Sequence, residues 1–173
     1  MRRLMMCIGL LALFSCCAYA QTTTPQWDVF AGYSYLRANP GGGFVAANAS
    51  GWEAAATWNW NHWLGLKADF DGHYCCDGQH EHNFLFGPQF TMRRHRANVF
   101  FHALGGVSHG STAGFSETTP AWVFGGGLDL KFERYPRLAF RVVQADYLGT
   151  NYADEVQHNF RYSAGIVVQF GKK

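Results

Sequence analysis

Residues 52–61 read WEAAATWNWN, and alternate positions belong to two different kinds. Trp52, Ala54, Ala56, Trp58 and Trp60 form one row, and Glu53, Ala55, Thr57, Asn59 and Asn61 the other. A period of two is the mark of a β-strand, whose successive side chains point to opposite faces. One face of this strand is apolar and aromatic; the other is polar.

The pattern continues beyond the opening stretch. Leu64, Leu66, Ala68, Phe70 and Tyr74 oppose Lys67, Asp69, Asp71 and His73, and only Asn61 and His62 separate this run from the last, which predicts a tight hairpin. Phe84, Phe86, Pro88, Phe90 and Met92 then oppose Leu85, Gly87, Gln89, Thr91 and Arg93. Pro88 removes a ladder donor, so pairing should be irregular there without ending the strand. Further alternating segments lie at 27–37, 98–109, 121–133, 137–149 and 159–170, which makes eight strands.

One segment breaks parity. Leu138, Phe140 and Val142 oppose Arg141, yet Gln144 and Asp146 fall on the apolar side. One extra residue flips the register of everything that follows, so a bulge is expected at Val142-Val143. Short connections at 61–62, 94–97 and 134–136 alternate with long ones. An even number of antiparallel strands joined in this way closes into an up-and-down barrel and loses its edges.

The apolar face carries Trp52, Trp58, Trp60, Phe70, Phe84, Phe86, Phe90, Trp122, Phe124, Phe132, Phe140, Phe160 and Phe170. An eight-stranded barrel is too narrow to enclose so many rings, so this face must look outward, to lipid. The interior then receives Glu53, Asp69, Asp71, Asp129 and Asp146 with Lys67, Arg93, Lys131, Arg141 and Arg161. Equal numbers of acids and bases in a narrow lumen predict mutual neutralisation, because an unpaired buried charge is costly. A plugged, salt-bridged interior is expected, with a narrow passive channel as the alternative.

The first twenty residues have two arginines, an apolar run from Leu4 to Phe14 and Ala18-Tyr19-Ala20 at their end. That is the layout of a secretory signal peptide, leaving a single barrel domain over 21–173. Without Arg2 and Arg3 the chain holds 12 basic residues against 12 acidic ones, so no basic excess points to nucleic acid. No later apolar run approaches the roughly 20 residues that a membrane-spanning helix needs.

With WDVFAGYSYLR at its start, short and long connections in alternation, and SAGIVVQFGKK at its end, the chain resembles the OmpA-like and OmpX-like eight-stranded outer-membrane barrels. In that family the last strand carries an assembly signal, which Ser163, Gly165, Val168 and Phe170 match; here Gly171-Lys172-Lys173 follow the terminal aromatic. The resemblance implies a monomer in outer-membrane lipid, inserted by the barrel assembly machinery, with short turns in the periplasm and long loops outside. It places Asp77, Glu81, Glu117, Asp154 and Glu155 outside, and Arg94, Arg96, Arg134 and Arg137 at the periplasmic end. A structural or surface-interaction role follows, with no cofactor, no catalysis and an external ligand that no residue specifies.

Three features carry side chains capable of chemistry. HYCCDGQHEH, residues 73–82, is rich in metal-binding side chains, and the topology should gather His73, Cys75, Cys76, His80, His82, His109 and His158 at one rim. The spacings match no zinc motif, and adjacent cysteines present both sulfurs to one tetrahedral ion only with difficulty, so no metal is expected. His109-Gly110-Ser111 is superficially similar to the His and Ser of the lipid A deacylases, but Thr112 stands where that family has Asn. His102, on the luminal parity, reads as a hydrogen-bonded interior histidine.

Overall fold

The computed structural model describes residues 24–39, 46–75, 78–112, 115–152 and 155–171. The expected signal peptide, Cys76, Asp77 and Asp154 lie outside them. Eight strands follow one another: β1 (Trp27–Ala38), β2 (Ala47–Asn59), β3 (Leu64–Tyr74), β4 (His80–Arg93), β5 (Ala97–Thr112), β6 (Phe115–Lys131), β7 (Leu138–Tyr152) and β8 (Glu155–Phe170). Each pairs antiparallel with the next, and β8 returns to β1 from Trp27↔Phe170 to Arg37↔Phe160. Closure gives every strand two neighbours, the condition for a sheet to sit in hydrocarbon.

The two faces divide as the alternation requires. Phe84, Phe86, Phe90, Phe101, Phe124, Phe160 and Phe170 are exposed on the outer surface, while Asn83, Leu85, Gln89 and Thr91 between them on β4 are buried inside. Trp122 also faces out but is half-buried, because its indole lies over Gly149.

The bulge falls where parity predicts it. Leu128 pairs with Val143 and Asp129 with Arg141, so Val142 is passed over on β6; across β8, Arg141 pairs with Gly165 and Gln144 with Ser163. Val142 and Val143 both point outward, and Arg141, Gln144 and Asp146 all turn inward. At Pro88 the register of β4 on β5 is unchanged, but the pairs skip Gly87 and Pro88.

The strands extend further towards the end opposite the short turns than alternation indicates. β2 starts at Ala47, β4 at His80 and β6 at Phe115, and β7 runs to Tyr152, so much of the expected long loops is paired strand. Beyond the outward aromatic band the two faces no longer differ in polarity, and the period-two signal fades although backbone pairing goes on. We call this end the mouth.

Inside, charge is layered between apolar groups. Leu36, Ala49, Leu85, Leu104, Ala121, Val123 and Leu148 form a buried cluster towards the mouth, and Phe30, Ala55, Ala139 and Val167 one towards the turns. Along β7 the inward order is Ala139, Arg141, Gln144, Asp146, Leu148, so the charged belt lies between the two clusters.

Candidate functional site

The belt is built on five inward-facing strand segments. Lys67 and Asp69 of β3 pair at 2.6 Å, and Lys67 Nζ lies 3.4 Å from Glu53 Oε1 on β2. Arg161 of β8 spans the lumen: Nη1 donates to Asp69 Oδ1 at 2.9 Å and to Asp71, while Nη2 and Nε donate to Asp146 Oδ2 at 2.7 and 3.0 Å. Gln144 Nε2 bridges Glu53 Oε1 at 2.8 Å and Asp146 Oδ2 at 2.7 Å. His102 Nε2 lies 3.0 Å from Asp146 Oδ1, and His73 sits between Asp71 Oδ1 at 3.1 Å and Ser34 Oγ at 2.9 Å. Arg161, Lys67 and Asp69 are fully buried, so side chains and not water fill the barrel at this level.

Space for these groups comes from missing side chains. A Cβ on Gly125 would fall 1.9 Å from Asp146 Oδ1, and one on Gly127 2.7 Å from the Phe100 ring. The run Gly125-Gly126-Gly127 thus makes room in the wall.

Two further pairs lie nearer the turns. Arg141 donates through Nε and Nη2 to Asp129 at 2.8 and 3.2 Å, and its guanidinium carbon lies 4.2 Å from the centre of the Phe30 ring and 4.1 Å from that of Phe100. Arg93 Nη2 meets Asp28 Oδ2 at 2.9 Å, with Asn59 and Gln169 on the same carboxylate. Asp28 was missed by the sequence reading because Phe30 also faces inward and blurs the alternation of β1. Lys131, expected in the luminal charge network, has luminal parity but ends at the rim, where Nζ donates to the Arg94 carbonyl at 2.9 Å and not to a carboxylate.

The residues weighed as metal ligands divide between the two faces. His73 points inward to Ser34 and Asp71. His82 packs outside beside Trp52, Tyr74 and His80, and its cross-strand partner His109 bonds Thr118 Oγ1 at 2.8 Å. His158 of β8 is held by the Tyr147 hydroxyl. The Cys75 thiol donates to the Asn48 carbonyl at 3.4 Å. Strand alternation, which sends neighbours on one strand to opposite sides, defeats the expected convergence. Among the described residues no three His, Cys, Asp or Glu side chains gather where a metal ion could sit.

The four positions matched to the assembly signal lie on the closing strand. Ser163 Oγ donates to Ser34 Oγ at 2.9 Å, and a Cβ on Gly165 would fall 2.4 Å from Gly32 Cα, so β1 and β8 approach closely there. Val168 and Phe170 face outward.

Above the mouth-side apolar cluster the barrel opens into a cavity of about 600 Å³. Leu36, Ala38, Ala47 and Ala49 form an aliphatic wall; Glu81, Ser111, Ser116, Glu117, Tyr152 and Gln157 form a polar one, with His73, Cys75, Gln79, His80 and Gly110 completing the lining. Glu81 Oε1 accepts from Asn83 Nδ2 at 3.1 Å and Ser108 Oγ at 3.2 Å, and the Tyr152 hydroxyl is 2.7 Å from Ser108 Oγ.

Solved structures share this architecture. Neisserial surface protein A superposes with a TM-score of 0.69 at 13% identity, over 84% of this chain and 97% of that one. This is the outer-membrane β-barrel fold. The attachment invasion locus protein Ail of Yersinia pestis matches with a TM-score of 0.57 at 18% identity, over 83% of this chain and 99% of Ail. Ail has also been solved in complex with the heparin analogue sucrose octasulfate. The N-terminal β-barrel domain of Pseudomonas aeruginosa OprF matches with a TM-score of 0.54 at 10% identity, over 86% of this chain and 100% of that domain. No protein-family profile and no curated protein sequence matches the chain.

Proposed function

We propose that this chain is an OmpA-like outer-membrane barrel with a closed interior and a structural or surface-interaction role. It is exported by a signal peptide over 1–20 and stands in lipid as a monomer delivered by the barrel assembly machinery. The short turns face the periplasm and the mouth faces outward. Catalysis forms no part of this reading: His109 has outward parity with its ring engaged by Thr118, while Ser111 lines the mouth cavity. The observation that carries the closed interior is the Arg161 cluster, fully buried and anchored to β3 and β7 across the lumen.

Purified protein in a planar bilayer tests it. A closed interior gives no single-channel steps; discrete, repeatable steps would favour the narrow channel. Heat-modifiable gel mobility in outer-membrane fractions, with protease access to the mouth-side hairpins of intact cells, tests closure and orientation.

A further inference from the structure

The mouth cavity has the volume of a small-molecule site and a divided wall, aliphatic on β1 and β2 and polar on β4 to β8. Its charge is one-sided, since among the described residues the lining contains Glu81 and Glu117 and no lysine or arginine. Each of the six inward carboxylates deeper in the barrel has a lysine or arginine at ion-pair distance: Asp28 has Arg93, Asp129 has Arg141, and Glu53, Asp69, Asp71 and Asp146 share Lys67 and Arg161. Among the described residues no lysine or arginine pairs with Glu81; its cross-strand neighbour His73 is engaged by Asp71 and Ser34. The hydrogen bonds to Glu81 come from neutral donors, Asn83 and Ser108, which fix Oε1 in place without cancelling its charge.

A second observation points the same way. Asn83, one inward position deeper on β4, is fully buried, and its Oδ1 accepts no hydrogen bond. An unsatisfied acceptor thus lies next to Glu81, whose carboxylate meets no lysine or arginine among the described residues. Removing a charge from water without a counter-charge is unfavourable, and a ligand that brings the counter-charge recovers that loss. The aliphatic wall gives the ligand's carbon chain a place to lie.

We propose that the mouth cavity binds a primary alkylammonium group, the ammonium on Glu81 and the chain along Leu36, Ala38, Ala47 and Ala49. This rests on the surface-interaction reading and gives it a ligand chemistry, supplied either by a free amine or by a lysine side chain of a partner. It also distinguishes this mouth from a site for sulfated sugar, which two carboxylates would repel.

The test is calorimetric titration of the refolded barrel in a neutral maltoside detergent with pentylammonium chloride, N-acetyl-lysinamide, 1-pentanol and sucrose octasulfate. Saturable binding of pentylammonium is expected, weakened at least tenfold by Glu81→Gln and less by Glu117→Gln. Pentanol and sucrose octasulfate should not bind at matched concentration. Binding of N-acetyl-lysinamide as well would point to a partner's lysine; binding of pentylammonium alone, to a free amine. Equal affinity in Glu81→Gln, equal binding of pentanol, or no binding of either amine overturns the proposal. Glu81→Gln loses no ion pair and should keep the heat-modifiable mobility of the folded barrel, so lost binding is separable from lost folding. Because the titration needs no membrane orientation, it stands apart from the outer-surface reading, which protease access tests in cells.

Discussion

Arg161 Nη1 lies 2.9 Å from Asp69 Oδ1, although β8 and β3 are not neighbours in the sheet. The contact runs through the lumen, so the barrel is cross-braced from within as well as closed around its wall. Asp71 and Asp146 meet the same guanidinium. One cation thus hydrogen-bonds three carboxylates from two other strands, with a fourth, Glu53 of β2, at 3.9 Å.

Replacing Arg161 by Met should therefore cost more than any single hydrogen bond. The carboxylates of Asp71 and Asp146 would stay buried without their strongest partner, while Asp69 would keep Lys67 at 2.6 Å. Breaking a buried pair from one side costs about 3–5 kcal/mol, far more than removing all its members. Urea unfolding in lipid vesicles should register that loss in Arg161→Met and recover more than half of it in a triple variant that adds Asp71→Asn and Asp146→Asn. Equal loss in both would mean that packing, not charge, is what Arg161 contributes.

Arg141 presents a different case, because its guanidinium lies between two rings while it grips Asp129 with two nitrogens. Lysine keeps the charge but has neither the planar fork nor the flat face. Arg141→Lys should lower unfolding stability by about 1–3 kcal/mol, the scale of a desolvated cation–π contact together with one lost charged hydrogen bond. Phe100→Leu in the Lys background should then cost less than in the parent, since a double-mutant cycle reads the coupling directly.

Gly125 and Gly105 make a matched pair. A Cβ on Gly125 would meet Asp146 Oδ1 at 1.9 Å and the Ala145 carbonyl at 2.6 Å; one on Gly105 would meet nothing within 4 Å. Gly125→Ala should destabilise by about 1–3 kcal/mol, the usual cost of overpacking, and shift the chemical environment of His102, which shares Asp146. Gly105→Ala should leave folding yield and stability unchanged in the same assay.

How far the sequence could be read depended on what each face needs. Within the outward aromatic band, an apolar surface on one side and a narrow lumen on the other enforce alternation, so the strands, their outward aromatics and most of the buried acids and bases were legible, Asp28 excepted. At the mouth neither face must be apolar, and HEHN at 80–83 reads as loop although β4 begins at His80. Parity also gives direction but not depth: Lys131 has the luminal parity of Asp129, yet it sits at the rim on a carbonyl. Convergence across strands was the least legible property. His73 and His82 are close in sequence, but one enters the lumen and the other lies among outer aromatic rings.

The bulge yields the sharpest prediction. In β7, Arg141 and Gln144 both face inward with Val142 and Val143 outward between them, and Asp129 already pairs with Arg141 next to Leu128 with Val143. Deleting Val142 leaves one outward residue between two inward ones, so regular alternation returns and every other inward residue keeps its side. On β8 the same deletion sets Val143 opposite Ala164, between the existing pairs Arg141↔Gly165 and Gln144↔Ser163. The Val142 deletion should therefore fold, with the heat-modifiable mobility of the parent. Deleting Ala145 instead brings Gln144 and Asp146 together, and one of the two segments they belong to must turn its polar side chains to lipid. If Asp146 goes, Arg161 loses the partner at 2.7 Å and stays buried; if Arg141 and Gln144 go, an arginine faces hydrocarbon. Either outcome costs about 2–5 kcal/mol, so the Ala145 deletion should refold poorly in lipid vesicles and show no folded band on the gel. If the two deletions behaved alike, the bulge would not be what reconciles the two halves of β7.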